Sequence, residues 1–391
     1  MDDATQNTVL KENETIISLT ATSHTEFIDK VIFCIIGSIG LCGNSLVIFV
    51  FLSTVKLRSK ITNMLIINQS IIDLLASLFV ALNKYFDDIG WIKEPGFGAR
   101  VFCKVWLSQY PIWSCMVIST FNLVALTIER YLALIHPVTY RWCFTRNKVG
   151  LVIAIVWIAG LSWTAYEIWS SELKGTVCML WTEWPSETFS TVFGVSLTVV
   201  QFIIPISIMI GCYCRMAIKM TKEAHSSSSA SNREKKLLRA RHNVIKTLLL
   251  VSLCFFLCWI CNGVYFLLYN LGVSVPGFTT PFYQFTMITA FLNCCINPFI
   301  YVFSYKVFRD AMKRTFKCLK PYSQSDLSRH QTISISGSYT DTVSTIMSSY
   351  GAPSMFGKRQ IYHVTDTNRK SNEEKVVTVD EVILQRLSSI Q

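Results

Sequence analysis

Of the 391 residues, 51% are hydrophobic and 16% are charged, and the mean hydropathy is +0.40. That balance suits a membrane protein better than a soluble domain of this size, so the bilayer is the main solvent. The formal charge of +11 is a basic excess on one side of the apolar runs, partly hidden by acid on the other, and it carries no nucleic-acid signal.

The first thirty residues are polar and acidic. They lack the apolar core of a cleavable secretory signal, so the first apolar run acts as its own insertion signal. Asn13-Glu14-Thr15 is a glycosylation acceptor for a tail that faces the lumen. Asn68-Gln69-Ser70 has the same pattern but lies inside an apolar run and is rejected.

Apolar runs occupy about 31–52, 61–82, 101–135, 149–169, 189–218, 244–269 and 280–303. Each is near the roughly 20 residues that span hydrocarbon as a helix. An odd number of crossings puts the two chain ends on opposite sides. Lys56, Arg58 and Lys60 follow the first run, Arg141, Arg146 and Lys148 the third, and Arg215, Lys219, Lys222, Arg233, Lys235, Lys236, Arg239 and Arg241 the fifth. These connections are therefore cytoplasmic, and their charge suits anionic lipid and protein partners. The opposite side holds Glu167, Glu172, Glu183 and Glu187 against the single cation Lys174.

The third run opens beside Cys103 and closes in Glu129-Arg130-Tyr131. An arginine costs about 2.5 to 3.5 kcal/mol at a helix centre and less near an end, so Arg130 marks the inner boundary. Asp73 sits mid-span in the second run, where an unpaired carboxylate is expensive and needs a partner. Of fourteen cysteines only Cys103 and Cys178 fall outside, where a bridge would tie the fourth-to-fifth connection over the third span. Such a bridge typically contributes about 2 to 4 kcal/mol. Cys254, Cys258 and Cys261 repeat at helical spacing. No histidine accompanies them in a span, which favours packing over a metal site. Pro205 and Pro298 each remove a helix hydrogen bond and introduce a bend.

Seven features stand in order along residues 30 to 318: Gly43-Asn44-Ser45-Leu46-Val47, Asp73, Glu129-Arg130-Tyr131, Trp157, Pro205 with Tyr213, Phe255 with Cys258-Trp259, and Asn297-Pro298-Phe299-Ile300-Tyr301. On these motifs the chain resembles the rhodopsin-like (class A) G-protein-coupled receptors, in the neuropeptide-receptor-like branch. The resemblance implies an all-α membrane protein, a seven-transmembrane helix bundle with a short amphipathic eighth helix. It divides the chain into an extracellular tail (1–30), the bundle (31–305), a membrane-surface helix (306–318) and a disordered cytoplasmic tail (319–391). It also implies a multi-pass protein of the plasma membrane, with the N-terminus extracellular and the C-terminus cytoplasmic.

In such a receptor Asn44, Ser119, Asn293 and Asn297 gather around Asp73 and can hold a sodium ion as an allosteric modulator; a polar cluster without sodium is the alternative. No other cofactor is implied. Arg130, resting on Glu129, is freed on activation to meet a heterotrimeric G protein, with Tyr131, Tyr213, Phe255, Trp259, Asn297, Pro298 and Tyr301 completing the switch. Three departures stand out. Arg241 occupies the position of an acid that braces this arginine in many relatives, which leads us to expect ligand-independent signalling. Cys261 replaces the usual proline of the sixth span, leaving Gly263 or a water to supply any kink. Cys103 also precedes Arg130 by two residues more than the family habit, an excess that a bulge or an extra half turn near Pro111 could absorb.

The ligand is read by exclusion. Residues 108–114 contain no acid to pair with an amine, and 280–303 contain no lysine for a retinal Schiff base. Asn83, Lys84, Asp87, Tyr110, Gln201, Asn262, Tyr265, Tyr283 and Gln284 offer amide, phenol and charged groups suited to a short extracellular peptide. A receptor for a non-peptide small molecule, or an ion-conducting channel or transporter using Asp73 and the asparagines, is the alternative. Repeated halves and broken midplane helices, usual in transporters, are not seen. No catalytic constellation is present. Past the bundle, 306–316 alternates charged and apolar residues as a helix on the inner leaflet, and Cys318 is placed for palmitoylation. The Ser/Thr-rich tail beyond Lys320 suits a receptor kinase and arrestin.

Overall fold

The computed structural model describes residues 3–54, 57, 59–86, 92–180, 184–226, 232–278, 280–319, 361–364 and 375–378, with side chains described from Phe27 onward in the bundle. Lys84 (its side chain), Asp87, Asn13 (its side chain), Arg241 (its side chain) and Cys318 (its side chain) lie outside what is described. The chain forms two units, Met1–Leu319 and Lys320–Gln391.

Backbone polar groups in hydrocarbon must be satisfied within their own segment, so apolar runs of this length become helices. Seven described helices are long and apolar enough to cross a membrane: Phe27–Ser53, Ile61–Asn83, Phe97–Ile135, Arg146–Trp169, Glu187–Glu223, His242–Asn270 and Pro281–Ser304. We call them the first to seventh spans. The first continues a helix that begins at Asp3 and takes in the polar stretch before it. No glycine or proline interrupts the chain before Gly37.

The third span is the hub, with 67% of its apolar window buried, and the fourth and fifth are peripheral at 22% each. Glycines allow the closest approaches. A Cβ at Gly40 would lie 2.0 Å from Ser77 Oγ, one at Gly43 would lie 3.0 Å from the Pro298 ring, and one at Gly160 would lie 2.3 Å from Ile118 Cγ1.

The two extra residues before Arg130 are absorbed at the outer end of the third span. Phe97–Val101 is α-helical, Phe102–Leu107 is a π-helical turn, and the helix then restarts as Tyr110–Ile135. At the junction Gln109 takes φ 60° and ψ 20°, a left-handed conformation, and Pro111 sits in the first turn of the new helix. The Ser108 N–H reaches back to the Cys103 carbonyl at 3.0 Å, the wide spacing of a π-turn. The expected bulge is thus a π-turn followed by a break, just ahead of Pro111.

In the fifth span a second π-turn, Val199–Ile203, precedes Pro205. The proline ring would meet the carbonyl four residues before it, and widening the preceding turn relieves that clash. The sixth span has no proline and runs as one helix, Asn232–Asn270. It ends at Gly272, φ +75°, with the Val273 N–H bonded to the Leu268 carbonyl and the Gly272 N–H to the Tyr269 carbonyl. This is a glycine-dependent stop.

Between the fourth and fifth spans lies a hairpin, β1 (Glu172–Lys174) and β2 (Val177–Met179), pairing Leu173 with Cys178. Its turn uses Gly175 at φ +63°. After the seventh span an extended Tyr305 turns the chain into the surface helix Lys306–Leu319. Phe308 of that helix is buried against Phe51 and Tyr301, while Phe316 is exposed. In the second unit β3 (Ile361–Val364) pairs antiparallel with β4 (Lys375–Thr378). The two strands are rich in β-branched residues, with Tyr362 in the first.

Candidate functional site

Three polar clusters lie along the bundle. The first is at the Arg130 end. Glu129 is fully buried, and Arg130 donates to it through Nε and Nη2 in a bidentate pair. Thr62 Oγ1 (3.1 Å) and Tyr140 OH (2.9 Å) donate to the same carboxylate. A buried charge held this way is satisfied on both the ionic and the hydrogen-bonding count. Tyr140 lies in the short helix Pro137–Cys143 outside the spans; burial, reinforced by the Glu129 carboxylate, pushes its phenol up to about 12. Tyr131 meets His136 edge to face instead of joining the pair. Lys219 of the fifth span reaches the Leu134 carbonyl at 2.7 Å, covering the C-terminal end of the third.

Above this, Tyr213 OH receives hydrogen bonds from Thr127 Oγ1 (3.4 Å) and Ser252 Oγ (3.3 Å), linking the third, fifth and sixth spans. Tyr301 is fully buried, and its hydroxyl has no partner among the described residues. Phe255 and Trp259, 6.0 Å apart between ring centres, are both buried in the sixth.

The second cluster is the polar core. Asp73 Oδ1 accepts from Gln69 Nε2 (3.0 Å) and Ser119 Oγ (3.2 Å), and Oδ2 accepts from Asn297 Nδ2 (2.8 Å). Gln69 Nε2 also donates to Ser119 Oγ, and Gln69 Oε1 accepts from Asn122 Nδ2 at 2.8 Å. The chain of amides continues from Asn68 Nδ2 to Asn122 Oδ1 (2.9 Å) and from Trp157 Nε1 to Asn68 Oδ1 (3.0 Å). Of the four expected neighbours, Ser119 and Asn297 touch the carboxylate. Asn44 instead donates to the Cys294 and Gly40 carbonyls, and Asn293 makes no side-chain donation.

The third cluster is at the far end. Cys103 and Cys178 form a disulfide, Cα–Cα 5.5 Å, which ties the β1–β2 hairpin to the third span. Asn262 is buried and faces Thr286 Oγ1 (3.4 Å) and Met287 Sδ (3.5 Å). Tyr265 and Tyr283 pack 5.1 Å apart, with Tyr265 OH donating to the Pro276 carbonyl. Gln201 bonds to Tyr166, Asn83 donates to the Trp106 carbonyl, and Gln284 is partly buried. Tyr110 turns away from these groups, donating to the Leu161 carbonyl of the fourth span. Asn262, Tyr265 and Tyr283 therefore form one wall between the sixth and seventh spans, which Tyr110 does not join.

Reading the sequence missed Thr62, Gln69, Asn122, Tyr140 and the buried Ser114–Thr164 hydroxyl pair, 2.6 Å apart. A signal existed for Gln69: it is a polar residue inside an apolar run, four positions before Asp73 and so on the same helix face.

Galanin receptor type 1 of Mus musculus is 29% identical over 304 residues, 75% of this chain and 82% of the relative. The RYamide receptor of Drosophila melanogaster is 27% identical over 282 residues, 69% of this chain. The tachykinin-like peptides receptor 99D of the same organism is 28% identical over 296 residues, 71% of this chain. The aligned region spans 59% and 54% of the length of those two fly receptors. Residues 43–301, well over half of the chain, match the family described as 7 transmembrane receptor (rhodopsin family), and the chain belongs to that family.

Proposed function

We propose that this protein is a receptor of the plasma membrane that binds an extracellular neuropeptide and activates a heterotrimeric G protein. The observation that carries the reading is the placement of a buried Glu129–Arg130 pair at one end of the bundle and a disulfide-tied hairpin over the other. The clusters around Asp73 and Tyr213 lie between them. Peptide chemistry is supported by the Asn262, Tyr265 and Tyr283 wall and by relatives named for galanin and for tachykinin-like peptides. The basic connections at the Arg130 end support a cytosolic position for that end and an outside position for the N-terminus. Membrane lipid under the surface helix, and a receptor kinase and arrestin on the tail, complete the set of partners.

The test is a peptide library applied to cells carrying several chimeric G proteins, with Arg130→Ala as the uncoupled control. A peptide-dependent second messenger that disappears in Arg130→Ala is the expected result. A ligand-independent ionic current without any second messenger would replace this reading with a channel.

A further inference from the structure

A sodium ion at Asp73, implied by the resemblance, needs several oxygen lone pairs converging on it. The residues present do not fit that demand. Both oxygens of the Asp73 carboxylate are directed at N–H or O–H groups, two on Oδ1 and one on Oδ2. The Ser119 hydroxyl is engaged as well, accepting from Gln69 and donating to Asp73. We propose that the Gln69 amide stands where a cation would serve Asp73, and that the polar core of this protein is consequently indifferent to sodium.

The amide is not free to swing aside. Its oxygen accepts from Asn122 Nδ2, whose second hydrogen goes to the Leu65 carbonyl at 3.1 Å, and Asn122 Oδ1 is taken by Asn68. Gln69 is therefore held at both ends of its amide, and it is completely buried, as is Asn122. Displacing it to admit an ion would break the hydrogen bonds made at both ends of the amide, which is the costly direction for a buried polar group. The neighbouring seam is mixed. Among the described residues, Asn44 Oδ1 and Asn297 Oδ1 are buried acceptors without a partner, but Asn293 Nδ2 is a buried donor without one. Water, which donates and accepts, can serve both kinds of group; a cation can serve only the first.

The experiment is thermal melting of the full-length protein purified in detergent, in sodium chloride against choline chloride at equal ionic strength. For the wild type the two melting curves should coincide, and a saturable sodium-specific rise would overturn the proposal. Gln69→Leu removes the donor and should make melting sodium-dependent, by about 3 °C for each tenfold of sodium above its dissociation constant. Gln69→Glu keeps the shape and reverses the demand, setting a second carboxylate beside Asp73, and should show the same dependence if the leucine variant does not fold. If the variants fold and remain indifferent, Gln69 is not what excludes the ion and the assignment fails. If neither folds, the wild-type comparison decides alone. The readout is the protein's own melting, so its outcome is independent of whether a peptide or a G protein is ever found.

Discussion

The third and sixth spans are built of similar residues but held in different ways. The third is 67% buried, and polar side chains tie it to its neighbours: Ser114 to Thr164, Ser119 to Asp73, Asn122 to Gln69, and Glu129 to Thr62. The sixth is 39% buried, and neutral groups near the limit of hydrogen-bond distance join it to the fifth and seventh: Ser252 to Tyr213 at 3.3 Å, Thr247 to the Ser304 carbonyl at 3.2 Å and Asn262 to Thr286 at 3.4 Å. Among lipid tails an apolar side chain gains little by exchanging lipid for a helix, so close packing and polar contacts decide which helices are fixed. By that standard the third span is the post and the sixth is the less restrained of the two.

The contrast can be broken most forcefully at Gly160. A Cβ there would meet not only Ile118 Cγ1 but the Ile118 backbone N at 3.2 Å, which has no rotamer to escape into. Gly160→Ala should lower stability by about 1 to 3 kcal/mol, the range for overpacking, measured as a fall in melting temperature in detergent. The control is Gly211→Ala in the fifth span, where nothing lies within 4 Å of the added atom. That substitution should be neutral or raise stability by up to about 1 kcal/mol from helix propensity. Equal losses at both glycines would mean that the third span is not specially anchored.

How much of this was legible beforehand follows from how far each partner lies along the chain. The seven spans, the bridged cysteines and the Glu129–Arg130 pair were readable because hydropathy, topology and adjacency are written locally. The sodium expectation around Asp73 rested on Ser119, Asn44, Asn293 and Asn297, and it passed over Gln69, which only the three-dimensional arrangement shows donating to Asp73 and Ser119. Thr62 and Tyr140 were unreadable, since they reach Glu129 from 67 and 11 residues away in sequence and nothing in either residue's own surroundings announces the contact. The spacing between Cys103 and Arg130 pointed to an irregularity, but a π-turn and a left-handed Gln109 cannot be told from a bulge or an extra half turn by length alone.

A second test concerns the inner end of the post. Thr62→Val combined with Tyr140→Phe removes two donors from Glu129 while leaving Arg130 its partner. Each lost bond should cost about 1 kcal/mol, and ligand-independent signalling should rise as the pair loosens. The phenol keeps its proton well into the alkaline range, because its folded value near 12 lies above the ordinary 10. Stability drawn from this bond is therefore complete below pH 10 and is lost only as pH climbs through 12. A Tyr140-dependent change in melting between pH 6 and pH 9 would contradict the assignment.

On the sixth span the balance should reverse. Ser252→Ala with Thr247→Val removes the two long hydrogen bonds between spans, along with the Thr247 bond to the Asn243 carbonyl of its own helix at 2.8 Å, so the stability loss should stay near about 1 kcal/mol, while ligand-independent second-messenger output at matched surface expression should rise by more than the Thr62 and Tyr140 pair produces. A large drop in melting temperature without a change in output would make the sixth span as fixed as the third.

The smallest effect sharpens the comparison at the broken outer end of the third span. Gln109 carries a side chain in a left-handed conformation, which an L residue with a Cβ adopts at a penalty of about 1 to 2 kcal/mol. Glycine removes that penalty but has more freedom to lose on folding, which takes back roughly half of it. Gln109→Gly should therefore raise stability by about 0.5 kcal/mol, and Gln109→Val, with a branched Cβ crowding the same backbone, should lower it. The Gln109 carbonyl accepts from the Ile112 and Trp113 N–H groups in both variants, so the helix restart itself is preserved. If glycine and valine shift melting equally, the backbone at 109 is not left-handed, and the outer third span must absorb its two extra residues in some other way.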